Sequence, residues 1–179
     1  MIINRKVKNM RRKRLRLKGY DYSKKGIYFV TICSCGKKKI FCDIDDEIKK
    51  ILYYDISFDK YIKYTLIGNI IKDSILNIEK FYKNVKVLKY IIMPNHIHLL
   101  IEFIDFPQSI NGITTLSKII KSFKMSVTKK YNVICKKRQQ IWQKSFYEHI
   151  IRNEKALNKI IEYIIYNPIK WKLYKYNKM

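Results

Sequence analysis

The pattern of hydrophobic and polar positions changes its period along the chain and predicts a mixture of strands and helices. Residues 26–33 form a short run rich in β-branched and aromatic side chains, which is typical of a buried strand. Residues 85–93 and 96–103 predict two strands or one bent strand, because Pro94 cannot donate a hydrogen bond to a central ladder. Residues 146–151 are expected to form a further strand.

Apolar residues at helical spacing predict several helices between these strands. We expect a short helix over residues 46–54 and a longer one over residues 67–83. Thr114 or Thr115 is expected to cap a third helix that has an apolar stripe on one face. Its other face is either solvated or in contact with phosphates, and it carries Lys118, Lys121, Lys124, Lys129 and Lys130.

A last helix is expected to begin after Asn153 and to end at Asn167-Pro168, with Asn167 in the final turn, because Pro168 disfavours helical geometry in the residue before it. Its buried stripe is predicted to consist of Leu157, Ile160, Ile161 and Ile164. At about 100° per residue, Tyr163 and Asn167 fall together on one flank of this stripe. A phenol and an amide are therefore expected to project side by side.

The order of these elements predicts one α+β domain built around an antiparallel sheet, since the two middle strands are adjacent in sequence. No internal repeat or linker rich in Pro or Gly divides the chain. The predicted domain covers residues 19–171, after a basic arm over residues 1–18 and before a short basic and aromatic tail over residues 172–179. Such a tail is suited either to tracking a single strand or to docking through its aromatic rings.

The charge of the chain favours a polyanionic partner. Its 39 Lys and Arg residues against 14 Asp and Glu give a formal net charge of +25. A coding sequence rich in A and T would also raise the lysine content, but it would not cluster the charges, and residues 5–18 contain nine cations and no acid. The clustered charge makes nucleic acid the first candidate partner. No apolar run approaches the length of a membrane span, so we expect a cytoplasmic protein.

Two of the three histidines, His96 and His98, lie two positions apart in an apolar run. In a strand they point to the same face, together with Glu102, while Ile97 and Leu99 point to the core. Neutral imidazole is a common ligand of divalent metals, so this spacing suggests a metal site. The alternative is a pair of half-exposed histidines on the surface of a sheet.

Five ordered segments resemble the REP-associated tyrosine transposases, a branch of the single-tyrosine HUH endonucleases. The resemblance covers most of the chain, and its most specific parts are the Met-Pro-Asn-His-Ile-His-Leu segment and the ending Tyr-x-x-x-Asn-Pro-x-Lys. The matching segments are residues 16–22 together with 26–32, then 93–99, 120–124, 142–152 and 163–170.

The resemblance implies a ferredoxin-like α+β fold of the HUH endonuclease type. It also implies that His96, His98 and Asn167 bind one divalent ion, Mg²⁺ or Mn²⁺, and that Tyr163 is the nucleophile; imidazole ligation alone would equally allow Zn²⁺ or Ni²⁺. The implied activity is cleavage and transfer of single-stranded DNA with hairpin structure through a 5′-phosphotyrosine. The implied assembly is a monomer or a homodimer.

Other interpretations remain open at this point. The chain is alternatively a DNA-binding protein or repressor of the same fold that has lost catalysis, although all four site residues are present. Tyr147 and Tyr166 are competing hydroxyls, and helix arithmetic places Tyr166 opposite the stripe, as a surface residue or DNA contact. His149 is a ligand, a phosphate contact or a packed polar residue, and Glu102 either orients a ligand or is a surface carboxylate.

Overall fold

The computed structural model describes residues 19–50 and 58–173. The strands are β1 (Gly26–Cys33), β2 (Cys42–Ile44), β3 (Ile62–Tyr64), β4 (Lys83–Ile92), β5 (His96–Ser109), β6 (Gly112–Ile113) and β7 (Tyr147–Ile151). The helices are α1 (Leu66–Leu76), α2 (Ile78–Phe81), α3 (Leu116–Ile134) and α4 (Glu154–Leu173). Short 3-10 helices occupy Cys35–Lys37, Asp46–Lys50 and Asp59–Tyr61.

The main sheet has the strand order β4-β5-β1-β7, and every pairing in it is antiparallel. The short strand β6 continues the sheet from the far end of β5, while β2 and β3 form a separate pair. Without the short strands, the chain order is β1-α1-β4-β5-α3-β7, which is the β-α-β-β-α-β arrangement of ferredoxin-like folds. The predicted fold class is therefore confirmed.

Alternate residues of the central strands are buried on opposite faces of the sheet. Tyr28, Val30 and Ile32 of β1 are fully buried in the core formed with α1 and α3. Phe29 points to the other face, where the α4 stripe packs on Leu100 in a smaller cluster. Because both faces carry apolar residues, β1 lacks the simple alternation of a half-exposed strand. Among the described helices, only α4 packs on the second face of the sheet.

Side chains at the predicted helix starts satisfy backbone N–H groups. The Thr115 side chain accepts a hydrogen bond from the Lys118 N–H, so Thr115, and not Thr114, caps α3. Asn153 Oδ1 accepts from the Ala156 N–H at 2.8 Å, as expected for the cap of α4.

Close packing requires a glycine inside α1. A Cβ atom on Gly68 would lie 2.0 Å from the carbonyl oxygen of Phe41. That oxygen also accepts hydrogen bonds from the backbone N–H and the hydroxyl of Thr65, so it is held in place. The absence of a side chain at Gly68 therefore lets α1 approach the segment that leads into β2.

Several predicted boundaries differ from the structure. The predicted helix over residues 46–54 is a short 3-10 helix at Asp46–Lys50, and residues 51–57 lie outside the described part. The predicted helix over residues 67–83 is interrupted at Asn77, and β4 begins at Lys83. The strand that starts at His96 extends to Ser109. The pair β2 and β3 was not predicted.

Helix α4 does not end at Asn167, as the sequence suggested, but continues through Pro168 to Leu173. Proline costs one backbone hydrogen bond inside a helix. The extension is stabilised by packing, because Ile169 and Trp171 contact the cluster around β2 and β3. The same cluster corrects the expectation for Tyr166, which is half-buried with its ring centroid 6.3 Å from that of Phe58 and is not a surface residue.

The lysine face of α3 is not uniformly solvated. Lys124 is half-buried, and its ammonium donates hydrogen bonds to the carbonyl oxygens of Gln143, Lys144 and Ser145. It is therefore a structural anchor and not a phosphate contact. The other four predicted lysines are exposed.

The two predicted flanking segments fall largely outside the described residues. This applies to the whole basic arm, residues 1–18, and to residues 174–179 of the tail. Among the described residues, no helix is long and apolar enough to span a membrane.

Candidate active site

His96 and His98 open strand β5 and point to the sheet face that α4 covers, as the two-residue period predicted. Their Nε2 atoms face each other at 3.1 Å. Both rings lie in an aromatic surround: His98 stacks on Phe29 with centroids 5.0 Å apart, and His96 lies 5.9 Å from the Trp171 ring. The alternative of two half-exposed surface histidines does not fit, since His98 is only 4% exposed.

The second nitrogen of each ring is also engaged. Nδ1 of His98 lies 2.8 Å from the Thr31 hydroxyl oxygen, and Nδ1 of His96 lies 2.7 Å from the side-chain oxygen of Asn95. Thr31 is the direct neighbour of His98 in the pairing of β1 with β5. Outer partners of this kind fix the orientation of a metal-binding imidazole. The strand register therefore aims both Nε2 atoms at one point.

The surroundings of the pair favour neutral imidazoles. Burial, together with the nearby Lys37 ammonium, lowers the pKa of His96 to about 4. Burial and the neighbouring His96 hold the pKa of His98 well below its usual range. A neutral ring carries a lone pair on one nitrogen, so the pair is suited to binding a cation near neutral pH.

Tyr163 lies directly over this pair. Its hydroxyl is 3.4 Å from Nε2 of His98, and the two ring centroids are 5.3 Å apart. The phenol is partly exposed, at 37%, so a substrate can reach it. The ammonium of Lys170, about two turns further along α4, lies 5.8 Å from the centre of the Tyr163 ring. A cation beside the phenol would stabilise negative charge on its oxygen or on a phosphate.

The donor set fits a divalent metal with positions left open for substrate. Two ligand atoms at right angles, each about 2.1 Å from a metal, lie about 3 Å apart, which agrees with the 3.1 Å between the Nε2 atoms. Within residues 19–50 and 58–173, no group of three His, Cys, Asp or Glu side chains could hold a metal ion. Asn167, buried on α4 one turn after Tyr163, carries an amide oxygen whose chemistry suits a further ligand.

Sequence reasoning did not identify the roles of Thr31, Lys170 and Trp171. Lys170 belongs to the quoted ending, but nothing in its spacing placed it over the Tyr163 ring. Trp171 contacts His96, and the Lys39 ammonium lies 5.8 Å from its ring, so this tryptophan is docked and is not a loose part of a tail. Thr31 is recognisable only when the pairing register of β1 and β5 is known.

The competing side chains lie further from the histidine pair. Tyr147 lies on the same sheet face as His98. It belongs to β7 and pairs with Thr31 of β1, so strand β1 separates Tyr147 from His98. His149 is exposed on the edge strand β7 and lines a pocket with Arg152. Glu102 lies four residues along β5 from His98, a distance of about 13 Å, which favours its interpretation as a surface carboxylate.

Comparison with known proteins identifies the family of the chain. The family model described as "Transposase IS200 like" matches residues 52–167, more than half of the chain. An uncharacterized protein of Haemophilus influenzae is 33% identical over a match that covers 89% of each chain. A second protein of that species, named as a REP-associated tyrosine transposase, is 35% identical over 85 residues, 44% of this chain and 47% of its own.

Two solved structures resemble the chain more distantly. A REP-associated tyrosine transposase bound to a REP hairpin matches with a TM-score of 0.47 and 18% identity, over 84% of this chain and 71% of its own. A protein of Deinococcus radiodurans R1, described as a transposase, matches with a TM-score of 0.44 and 15% identity, over 83% and 94% of the two chains. The family match and the full-length relative carry the assignment, and they agree with the motifs read from the sequence: the chain belongs to the IS200-like transposase family.

Proposed function

We propose that the chain is a metal-dependent endonuclease and strand transferase of single-stranded DNA, which forms a 5′-phosphotyrosine intermediate on Tyr163. One observation carries this proposal: the Tyr163 hydroxyl is 3.4 Å from Nε2 of His98, which in turn faces Nε2 of His96. A nucleophile beside a converging pair of neutral imidazoles is an arrangement suited to metal-assisted phosphodiester cleavage.

Tyr163 acts by covalent catalysis. Its oxygen forms a bond to the scissile phosphorus while the bond from phosphorus to the 3′ oxygen breaks, and the departing oxygen takes up a proton in place of the one that the phenol loses. The products are a 5′-phosphotyrosine and a 3′-hydroxyl. Attack by a second 3′-hydroxyl reverses these steps and joins two strands, so no nucleotide cofactor is required.

His96, His98 and Asn167 would hold the metal, proposed to be Mg²⁺ or Mn²⁺ on the resemblance to the transposase family. When bound, the ion supplies a Lewis acid that polarises a non-bridging phosphate oxygen. The chain's own side chains orient the reaction. The aromatic packing of His98 against Phe29 limits the motion of the imidazole. The Lys170 ammonium, 5.8 Å from the centre of the Tyr163 ring, would stabilise negative charge that develops on the phenol.

The proposed substrate is single-stranded DNA that carries a hairpin. The net charge of +25 supports a nucleic-acid partner, and the relative named as a REP-associated tyrosine transposase supports DNA of this type. Tyr163 and His98 of the same chain are in contact, so we propose that α4 serves its own active site, in cis, and that a monomer is competent for cleavage.

The test is incubation of the protein with labelled single-stranded oligonucleotides from the flanks of its gene, with Mg²⁺ or Mn²⁺, followed by denaturing electrophoresis. A labelled covalent adduct is expected with the unaltered protein and is expected to be lost in His96→Ala and His98→Ala. Both variants should retain DNA affinity, because that rests on phosphate contacts. Binding without an adduct under any metal would contradict the proposal and favour a catalytically inactive DNA-binding protein.

A further inference from the structure

The contact between Thr31 and His98 has to serve two different states of the imidazole. His98 is buried, and both of its ring nitrogens are within hydrogen-bonding distance of other groups. Nδ1 is 2.8 Å from the Thr31 hydroxyl oxygen. Nε2 is 3.1 Å from Nε2 of His96, and 3.4 Å from the Tyr163 hydroxyl oxygen, the longer of its two contacts. A neutral imidazole has one N–H and one lone pair, so the partner of each nitrogen decides which of them carries the proton.

When no ion lies between the two rings, the hydrogen bonds determine the positions of the protons. The Asn95 side-chain oxygen can only accept, so Nδ1 of His96 is the protonated nitrogen and its Nε2 carries a lone pair. Two lone pairs would repel each other at 3.1 Å, so Nε2 of His98 carries a hydrogen and donates it to His96. Nδ1 of His98 is then an acceptor, and the Thr31 hydroxyl donates to it.

A metal bound between the two Nε2 atoms requires the other tautomer of His98. Both Nε2 atoms must then offer lone pairs, so the hydrogen of His98 has to move to Nδ1. The group opposite Nδ1 must consequently change from donor to acceptor. A hydroxyl does both by rotating about its C–O bond, whereas a carbonyl oxygen only accepts and a methyl group does neither.

We propose that Thr31 is a positioning residue for the metal site, whose hydroxyl reverses its hydrogen bond to Nδ1 of His98 when the ion binds. This inference rests on the proposed function, because it assumes the metal site. The position of Thr31 supports it: β1 pairs residue by residue with β5, and Thr31 is the direct cross-strand partner of His98. His96 needs no such reversal, because its donor bond to Asn95 suits both states.

The first test is the affinity of the purified protein for Mn²⁺, measured by isothermal titration calorimetry without DNA. Thr31→Val keeps the shape of the side chain and removes the hydroxyl, and it should weaken Mn²⁺ binding about 10- to 100-fold, as loss of such outer partners does elsewhere. Thr31→Ser keeps the hydroxyl and should restore binding. Thr128→Val is the matched control, because it removes a threonine hydroxyl that is bonded to the Lys124 carbonyl on α3.

The second test follows the tautomer itself, by ¹⁵N NMR of the imidazoles with and without Mg²⁺. The metal-free protein should show the His98 hydrogen on Nε2, and saturating Mg²⁺ should move it to Nδ1. Unchanged Mn²⁺ affinity in Thr31→Val, equal weakening in Thr31→Ser, or a His98 hydrogen on Nδ1 in both states would overturn the role of Thr31. These outcomes leave the proposed function intact, whereas absence of Mn²⁺ binding by the unaltered protein would remove the metal site and the role of Thr31 with it.

Discussion

The hydroxyl of Tyr163 lies 3.4 Å from Nε2 of His98, although 65 positions separate the two residues in sequence. The contact exists because α4 packs its apolar stripe on the sheet face opposite α1 and α3, which is the face that carries both histidines. The packing of α4 is therefore what completes the candidate site.

Replacing Tyr163 with Phe should abolish the covalent DNA adduct while the protein stays folded. The substitution removes one oxygen and keeps the ring that packs at right angles to Phe29. Tyr166→Phe is the matched control on the same helix, because its ring packs away from the histidines, against Phe58, and it should still form the adduct. The measurement is denaturing electrophoresis with a labelled oligonucleotide, followed by peptide mapping. DNA attached to Tyr166 or Tyr147 would refute the assignment.

Stability of the metal-free protein should depend on pH between about 6.5 and 4. Burial lowers the pKa of His96 to about 4, and burial also lowers the pKa of His98 well below its usual value. The unfolded chain, whose histidines have a pKa near 6.5, therefore binds more protons in this range. The free energy of unfolding should be highest above about pH 6.5 and should fall by up to about 1.4 kcal/mol per pH unit for each histidine as the pH is lowered.

Urea unfolding at several pH values measures this slope. The double variant His96→Gln, His98→Gln should flatten the slope between pH 6.5 and 4, whereas removing the exposed histidine, in His149→Gln, should preserve it. A slope that persists in the double variant would show that other groups cause the effect.

Lys124→Met should destabilise the fold, although lysine on a helix face is normally replaceable. Its ammonium donates to three consecutive carbonyl groups, with the shortest distance, 2.6 Å, to Gln143. Loss of hydrogen bonds from a charged donor is expected to cost about 1.5–3 kcal/mol. Lys121→Met, on the exposed side of the same helix, should change stability by less than about 0.5 kcal/mol. Equal effects of the two substitutions in chemical denaturation would contradict the anchoring role.

Gly68→Ala should destabilise α1, against the usual direction of this substitution in helices, which stabilises by about 1 kcal/mol. The added Cβ would lie 2.0 Å from the Phe41 carbonyl oxygen, so α1 and the segment that leads into β2 must move apart. The expected cost is about 1–3 kcal/mol. Ser74→Ala is the control on the same helix, because within the described residues the buried Ser74 hydroxyl has no hydrogen-bond partner. Removing that hydroxyl should leave the midpoint of chemical denaturation unchanged or raise it.

Local periodicity was sufficient to predict those relations in the candidate site that join two residues of the same strand or helix. The two-residue period placed His96 and His98 on one face of a strand, and helical spacing placed Tyr163 and Asn167 on one flank of α4. These relations depend only on backbone geometry within a single element. Asn153 was recognised as a cap for the same reason.

The relations that the sequence did not reveal depend on partners distant in the chain. The strands β2 and β3 have three residues each, too short for a period, yet the cluster around them covers one side of α4. Without that cluster, the helix was expected to end at Pro168 and Tyr166 was expected to face solvent. The pairing register of β1 with β5, which brings Thr31 to His98, is likewise invisible to local patterns.

The position of α4 as the last described element also has a consequence for biosynthesis. On the ribosome, the strands that carry Thr31, His96 and His98 are made before the helix that carries Tyr163. A nascent chain that has not yet reached residue 163 contains the histidines without the proposed nucleophile, so under the proposed mechanism it cannot become covalently linked to DNA. The proposed strand cleavage would therefore begin only after most of the fold has been translated.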